Sequence, residues 1–316
     1  MNKFNHIAVY GGGSWGTALA CQVARTHKNV ELFLRDQKII AEILNYNVNA
    51  KYLGNIKLAS NIHPSHELSR ILDQEVIILA IPSRAVTDTI KLLKEAKLPP
   101  TTVLLIATKG LGNEPIELLS DKIKSLLPNP IAFIAGPNFA KEVASNLLTP
   151  VTIASQDINL AKRLAISLGT ENFTTETTDD IVTVQIAGAV KNIIAIKSGM
   201  YEAMGYGENA KAGLITGGLQ EIRILSKILG GRHETLLSYA VIGDLVLTCH
   251  STTSRNTRFG YELAKKKDIQ QLLKNYPYLV EGVESTKLVM GLAKKYDIDL
   301  PIISSVAREL ESLFAN

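Results

Sequence analysis

The stretch Ile7-Ala8-Val9-Tyr10-Gly11-Gly12-Gly13-Ser14-Trp15-Gly16-Thr17-Ala18-Leu19-Ala20 decides the fold class of this chain. An apolar run, a glycine-rich segment and a run of helix-forming residues predict a strand, a turn and a helix. Gly11, Gly13 and Gly16 fit the pattern G-x-G-x-x-G, in which the glycines permit a tight turn, close approach to a pyrophosphate and close packing of helix on strand. A helix beginning near Ser14 directs free N–H groups towards an anion. We therefore predict a dinucleotide site here.

Length and composition indicate a folded protein of two domains. The 316 residues are 46% hydrophobic and 20% charged, and a chain of this length is long for one hydrophobic core. The net charge of +4 is spread along the sequence, which predicts solvated helix faces and no nucleic-acid partner. Cys21 and Cys249 lie far apart among apolar neighbours, so we expect free thiols and a reducing, cytoplasmic compartment. His63 and His66 lie on either side of Pro64 without a nearby cysteine, so we predict no metal site.

Apolar strands alternate with helical stretches through the first half of the chain. After the first strand, the predicted strands are residues 30–34, 76–81, 103–107, 131–135 and 151–154. This alternation predicts a doubly wound Rossmann-like sheet whose strands end at one edge, where open α/β sheets bind ligands. Arg35, Lys109 and Gly136 come just after strands and are therefore expected at that edge.

Arg35 and Asp36 follow the second strand, where Rossmann folds bind the adenosine ribose. An acidic residue at this place accepts a hydrogen bond from the ribose 2′-hydroxyl of NAD, whereas an arginine accommodates the 2′-phosphate of NADP. Because both residue types are present, we predict that either cofactor is usable.

The strand pattern stops near residue 178. This divides the α/β chain into residues 1–178, a dinucleotide-binding Rossmann domain, and residues 179–316, an all-helical domain for substrate binding and catalysis. The helix predicted from Ile181 to about Ser198 is apolar on nearly every face, but its lysines and amides predict a buried helix and no membrane insertion. Lys191 on this helix must be paired, face a polar cleft, or have a lowered pKa suited to acid–base catalysis. A structural salt bridge explains Lys191 as well as catalysis does.

Two polar motifs further along the chain suit a phosphorylated substrate. Asp244 and Thr248 are four residues apart and share one helical face, where they can orient a substrate hydroxyl or hold a lysine. The run Ser254-Arg255-Asn256 offers an arginine with neighbouring donors, a combination that binds phosphate well. A helix cap at Asp244 and a surface ion pair at Arg255 are the alternative interpretations.

Eight motifs follow one another along the chain. They are Gly-Gly-Gly-Ser-Trp-Gly-Thr-Ala-Leu-Ala at 11–20, Thr-Lys-Gly-Leu at 108–111, Gly-Pro-Asn-Phe-Ala at 136–140, Gly-Ala-Val-Lys-Asn-Ile-Ile-Ala-Ile at 188–196, Gly-Glu-Asn-Ala-Lys-Ala at 207–212, Gly-Asp-Leu-Val-Leu-Thr-Cys at 243–249, Ser-Arg-Asn at 254–256 and Val-Glu-Gly-Val at 280–283. In this order the chain resembles the bacterial NAD(P)-dependent glycerol-3-phosphate dehydrogenase family over nearly its full length.

The resemblance implies hydride transfer that interconverts dihydroxyacetone phosphate and sn-glycerol 3-phosphate, a precursor of phospholipids, with NAD(H) or NADP(H) and no metal. Lys191 matches the catalytic lysine, which exchanges a proton with the substrate oxygen, and Lys109 and Asp244 complete the catalytic set. The positions that match substrate contacts are Lys109, Gly136, Asn138, Lys191, Asn192, Asp244, Thr248, Ser254, Arg255 and Asn256. Those that match cofactor contacts are Gly11, Gly13, Ser14, Trp15, Gly16, Arg35, Lys109, Ala140, Arg255, Leu279 and Glu281. The reacting centre is then expected between the two domains, and a homodimer is the predicted assembly.

Several positions depart from the family's usual residues. Asn138 replaces a serine, Gly217 an arginine and Gly54 a proline, and residues 238–242 replace a glycine-rich run. The lysines, Asp244 and the Ser-Arg-Asn run are intact, which favours unchanged chemistry. Two alternatives stay open: a related hydroxyacid or opine-type dehydrogenase, and a nucleotide-binding protein that has lost turnover.

Overall fold

The computed structural model describes residues 2–112, 116–265, 272, 276 and 280–311. The chain divides into two compact units. The first contains residues 1–108 and 120–181, and the second contains residues 109–119 and 182–316. Residues 109–119, which include Lys109, thus pack with the second unit, a placement that no sequence pattern indicated.

The first unit is built on an eight-stranded sheet. Its strands are β1 (Ile7–Tyr10), β2 (Val30–Phe33), β3 (Ile62–Ser65), β4 (Val76–Leu79), β5 (Val103–Ile106), β6 (Ile131–Ala135), β7 (Thr149–Ala154) and β8 (Phe173–Thr178). The order is β3-β2-β1-β4-β5-β6-β7-β8, and β1 to β6 are parallel. The first six strands have the Rossmann order, and the central ones are buried along their whole length because the sheet is covered on both faces. The predicted fold class is confirmed.

Two strands of the sheet were not predicted from the sequence, and a third strand runs in a direction that differs from the prediction. β3 contains Pro64 and lies at the sheet edge, where a residue without an N–H is tolerated. β8 is an edge strand of mostly polar residues, so it lacks the apolar run by which the others were found. β7 runs antiparallel to β6, so the expectation that every predicted strand ends at one edge is wrong for β7. The short connection through residues 136–148 reverses the chain there.

Eight helices accompany the sheet. They are α1 (Ser14–Thr26), α2 (Gln37–Tyr46), α3 (Ala50–Leu53), α4 (Ser69–Leu72), α5 (Val86–Glu95), α6 (Leu119–Leu126), α7 (Ala140–Ala144) and α8 (Ile158–Leu168). Helix α1 is buried from Gly16 to Val23 and packs on β1, β2 and α7. Its N-terminus therefore lies directly after β1, at the carboxyl end of the parallel strands.

Helices form the second unit. Among the described residues, its α-helices are α9 (Ile181–Ala203), α10 (Glu208–Ile228), α11 (Asp244–His250), α12 (Arg255–Lys265), α13 (Glu281–Tyr296) and α14 (Pro301–Glu309). Helix α9 is long and apolar enough to cross a membrane by composition, but 89% of its most apolar window is buried inside the protein, as expected of a core helix. A Cβ on Gly199 would lie 1.8 Å from the Thr257 carbonyl oxygen, and one on Gly260 would lie 1.9 Å from that of Ile196. Glycine at both positions thus lets α9 and α12 cross in backbone contact.

Candidate active site

A buried carboxylate in the second unit is shared by two lysines. Lys191 Nζ lies 2.5 Å from Oδ1 of Asp244, and Lys109 Nζ lies 2.8 Å from Oδ2. Lys191 also donates to the hydroxyl of Thr248, at 3.0 Å. Asp244 is 1% exposed and Lys191 5%. Four residues that the sequence singled out are therefore in direct contact, although Lys109 and Asp244 are 135 residues apart in the chain.

Local sequence explains how these side chains meet. Asp244 is the first residue of α11, and Thr248 follows one turn later on the same face, as the spacing of four predicts. The Thr248 hydroxyl donates to the Asp244 carbonyl at 2.6 Å. A single π-helical turn over Tyr239–Gly243 precedes α11, and such turns are frequent at functional sites. The departure at residues 238–242 thus falls in the turn that leads into Asp244.

The negative charge of Asp244 faces the two buried ammonium groups of Lys109 and Lys191. Burial and these charges together shift the pKa values of all three groups. Burial lowers the pKa of Lys191 to about 7; Asp244 opposes this shift and Lys109 adds to it. Burial is the largest single influence on the Lys109 pKa and lowers it, but the interactions with Asp244, Lys191 and Glu281 together raise that pKa above its usual value. Burial would raise the Asp244 pKa, but the two lysines lower it below its usual range. The two lysines thus titrate as a coupled pair, with the pKa of Lys191 lowered and that of Lys109 raised.

A second polar chain joins α9, α12 and α13. Asn256 donates its amide to Oδ1 of Asn192 at 2.9 Å and accepts from the N–H of Gly282 at 3.0 Å. A Cβ on Gly282 would lie 2.7 Å from the Asn192 carbonyl, so glycine is needed for this approach. Ser254 accepts from the Thr257 N–H, and Arg255 begins α12 with an exposed side chain. An arginine at a helix N-terminus, beside buried amides, is suited to an anion.

In the first unit, the glycine turn has the geometry that a dinucleotide requires. Gly11 has a φ of +129°, and a Cβ there would lie 2.3 Å from the Ala80 carbonyl oxygen. A Cβ on Gly16 would lie 1.8 Å from the Gly11 oxygen, whereas one on Gly13 would meet nothing within 4 Å. No described side chain caps α1, whose first turn carries no acidic residue. Open space at Gly13 and uncapped N–H groups fit a pyrophosphate.

Three further predicted site residues of the first unit are Arg35, Gly136 and Ala140. Arg35 is exposed after β2, while the carboxylate of Asp36 caps α2 by accepting from the Lys38 N–H at 3.0 Å. Gly136 has a φ of +155° and lies where a Cβ would be 2.8 Å from the Pro150 oxygen, so the backbone alone requires glycine. Ala140 begins α7.

The other predicted cofactor and substrate contacts differ in whether their polar atoms have hydrogen-bond partners. Ser14 donates to the Tyr52 carbonyl at 3.3 Å, so this hydroxyl has a partner within the protein. The indole N–H of Trp15 and the amide nitrogen of Asn138 are buried and have no hydrogen-bond partner among the described residues. Glu281 begins α13 and lies near Lys109. Leu279 lies outside the described residues.

Two residues that contact the predicted site residues were not among the sequence predictions. Gly282 supplies a backbone donor to Asn256, and the motif at 280–283 was its only signal. Asn49 is fully buried against the glycine turn, and nothing in the local pattern singled it out.

Comparisons with known proteins agree with the family resemblance over most of the chain. The family description "NAD-dependent glycerol-3-phosphate dehydrogenase" matches residues 6–161 through its N-terminal part and residues 180–312 through its C-terminal part. A glycerol-3-phosphate dehydrogenase (NAD(P)+) of Rickettsia typhi is 53% identical over 311 residues, 97% of each chain. The crystal structure of glycerol-3-phosphate dehydrogenase from Coxiella burnetii has a TM-score of 0.92 and 36% identity, covering 98% of this chain and 95% of that one. A ketopantoate reductase from Ralstonia eutropha shares only the fold, with a TM-score of 0.59 and 15% identity over 96% and 97% of the two chains. This chain therefore belongs to the NAD-dependent glycerol-3-phosphate dehydrogenase family.

Proposed function

We propose that this protein interconverts dihydroxyacetone phosphate and sn-glycerol 3-phosphate with NAD(H) or NADP(H). The observation that carries the proposal is the buried pair of Lys109 and Lys191 on Asp244, with the pKa of Lys191 lowered to about 7. Membership of the family supports the choice of substrate. When bound, the nicotinamide accepts or supplies the hydride at the C2 carbon of the substrate.

Lys191 is the proposed proton donor and acceptor. In reduction, the carbonyl carbon gains a hydride and its oxygen takes a proton from the Lys191 ammonium; in oxidation, the neutral amine removes the hydroxyl proton as hydride leaves carbon. A pKa near 7 leaves both forms of Lys191 populated at neutral pH, which is what a group that acts in both directions needs. Asp244 and Thr248 hold Nζ in place through their hydrogen bonds.

Lys109 supplies the positive charge that persists through the reaction. Its pKa is raised, so it stays protonated while Lys191 titrates, and a fixed cation stabilises the charge that develops on the carbonyl oxygen. We assign the substrate phosphate to Arg255, Asn256 and the start of α12. We assign the substrate hydroxyls to Asn192, Asp244 and Thr248.

We assign the cofactor pyrophosphate to the turn of residues 11–16 and the adenosine ribose to Arg35. The open space at Gly13 supports the first assignment. The second is supported by the position of the exposed Arg35 side chain after β2; the neighbouring Asp36 carboxylate caps α2 and pairs with Lys51 at 3.6 Å. Contacts at Lys109, Ala140, Arg255 and Glu281 remain predictions from the family resemblance, as do those at Gly136, Asn138 and Ser254 with substrate.

The test measures oxidation of NADH and NADPH with dihydroxyacetone phosphate by the native protein, Lys191→Ala and a control, Lys197→Ala. Lys197 lies on the same helix but pairs with the ring of Tyr201 rather than with Asp244. We expect Lys191→Ala to lose at least about a hundredfold in kcat, within the usual range for a general acid or base, and Lys197→Ala to keep its activity. A native protein that binds cofactor but never oxidises it with this substrate contradicts the proposal. Turnover of 2-oxo acids instead would favour the hydroxyacid dehydrogenase alternative.

Location and assembly are further proposals. Cys21 and Cys249 are both free and buried, which supports a reducing compartment such as the cytoplasm. A homodimer stays a prediction from the helical second domain, and light scattering of the purified protein would test it.

A further inference from the structure

We propose that Asn49 is a positioning residue of the cofactor site: it locks the Gly12–Gly13 peptide in the orientation that offers an N–H to the pyrophosphate. The inference rests on the proposed assignment of residues 11–16 as the pyrophosphate turn. Asn49 lies outside the glycine motif and has 0% exposure.

The side chain of Asn49 uses one of its donors on the turn and the other on the first part of α1. Nδ2 donates to the Gly12 carbonyl at 3.1 Å and to the Thr17 hydroxyl at 2.9 Å. The carbonyl oxygen of Gly12 can only accept, so the amino side of the amide must face it. The amide oxygen, Oδ1, has no partner among the described residues, so the side chain is committed to donation. Leaving that oxygen unpaired carries a cost that the contact with the turn must offset.

The hydrogen bond from Asn49 to the Gly12 carbonyl also fixes the orientation of the Gly13 N–H, because both groups belong to one planar peptide. In a trans peptide the C=O of one residue and the N–H of the next point in opposite directions. Holding the Gly12 oxygen against Asn49 therefore directs the Gly13 N–H away from Asn49. A peptide between two glycines rotates more easily than any other, because neither residue has a Cβ. A rotated peptide would present an oxygen, which repels phosphate, in place of the N–H.

Asn49 is itself held firmly enough to impose this constraint. Its carbonyl accepts from the N–H groups of Tyr52 and Leu53, at 3.1 and 2.8 Å, and Leu53 is buried in the core of the unit. The Tyr52 carbonyl accepts from the Ser14 hydroxyl. The segment 49–53 thus contacts the turn at two points, on either side of Gly13, and is anchored by an apolar side chain.

The chain contains a matched control in Asn129. This residue is 3% exposed in the same unit, donates through Nδ2 to the carbonyls of Pro99 and Thr102 at 2.8 Å each, and also leaves Oδ1 unpaired. Asn49→Ala and Asn129→Ala therefore each remove two donated hydrogen bonds from a buried site. They differ in whether the glycine turn is one of the partners.

The experiment measures the Kd for NADH and NADPH through quenching of Trp15, the single tryptophan, and amide hydrogen exchange of residues 11–16 without cofactor. For Asn49→Ala we expect a Kd about tenfold higher than native, the factor that one to two ordinary hydrogen bonds correspond to, and faster exchange in the turn. At saturating cofactor, KM for dihydroxyacetone phosphate should be unchanged. Asn129→Ala should lower the melting temperature similarly and leave Kd and turn exchange at native values.

Equal Kd values for Asn49→Ala and Asn129→Ala would overturn the inference. If Asn49→Ala does not fold, Asn49→Leu, which has a similar size and no donor, takes its place: a raised Kd supports the inference and a native Kd overturns it. Failure of the native protein and of Asn129→Ala to bind either cofactor would instead overturn the proposed pyrophosphate turn, and the inference with it.

Discussion

Replacing Gly13 by alanine should separate the binding role of the glycine turn from its folding role. Gly13 is the residue before α1 and has a φ of −75° and a ψ of −177°, a conformation that any residue adopts. A Cβ there would meet nothing within 4 Å. Within the protein, therefore, nothing requires glycine at this position. A bound pyrophosphate does, because the methyl group would occupy the space through which it approaches the backbone.

The effects of Gly13→Ala on the free energy of unfolding and on the Kd for NADH can be estimated. Alanine caps a helix less well than glycine, by up to about 1 kcal/mol, but it restricts the unfolded chain by about 0.4–1 kcal/mol. The free energy of unfolding should consequently change by less than about 1 kcal/mol. If the methyl group costs only about 1.4 kcal/mol in the complex, the Kd for NADH rises about tenfold.

Gly16→Ala should behave in the opposite way. Its Cβ would lie 1.8 Å from the Gly11 carbonyl oxygen and 3.2 Å from the Ala80 Cβ. The turn and the helix must then separate by more than about 1 Å, and overpacking of this kind costs about 1–3 kcal/mol or more. Urea unfolding should show this loss directly.

Gly207 provides the control for Gly13. It precedes α10 with a φ of −76° and a ψ of −179°, and a Cβ there also meets nothing within 4 Å. Gly207→Ala should therefore reproduce the stability change of Gly13→Ala and leave the Kd for NADH at its native value. Native affinity in Gly13→Ala, or native stability in Gly16→Ala, would refute the reasoning.

Three further predictions concern the second unit. The pKa of Lys191 is lowered to about 7, and the neutral form of this lysine is the base. Therefore kcat for glycerol 3-phosphate oxidation should rise as the pH increases through about 7, and kcat for the reduction should fall above that pH. Two flat pH profiles would exclude Lys191 as the titrating group. Glu221 accepts from the N–H groups of Ile302 and Ile303 at 2.6 and 3.1 Å, so Glu221→Gln, which loses one acceptor, should lower the free energy of unfolding in urea by about 1–3 kcal/mol, and an unchanged midpoint would contradict this. Gly213 lies within α10 with open space at its Cβ, so Gly213→Ala should raise that free energy by about 0.5–1 kcal/mol, and a decrease would show an unrecognised contact.

Features that depend on near neighbours in the chain could be predicted from the sequence. The turn after β1 was predictable because its glycines meet steric demands within a few residues and at the adjoining strand. The buried strands and α9 were predictable because an apolar run of given length has few alternatives. Asp244 and Thr248 were predicted on one face because helical spacing is regular, and the family motifs indicated the chemistry.

Contacts between groups that are distant in the chain became evident from the three-dimensional structure. Lys109 follows a strand of the first unit, yet its side chain pairs with Asp244 in the second, and no local pattern specifies that contact. The lowered pKa of Lys191 depends on its burial and, to a smaller extent, on the neighbouring charge of Lys109, and a sequence displays neither. Asn49 owes its role to a bond with the Gly12 backbone, 37 residues earlier. Local patterns specify elements and residue types, whereas pairing, burial and pKa depend on the path that the chain takes between them.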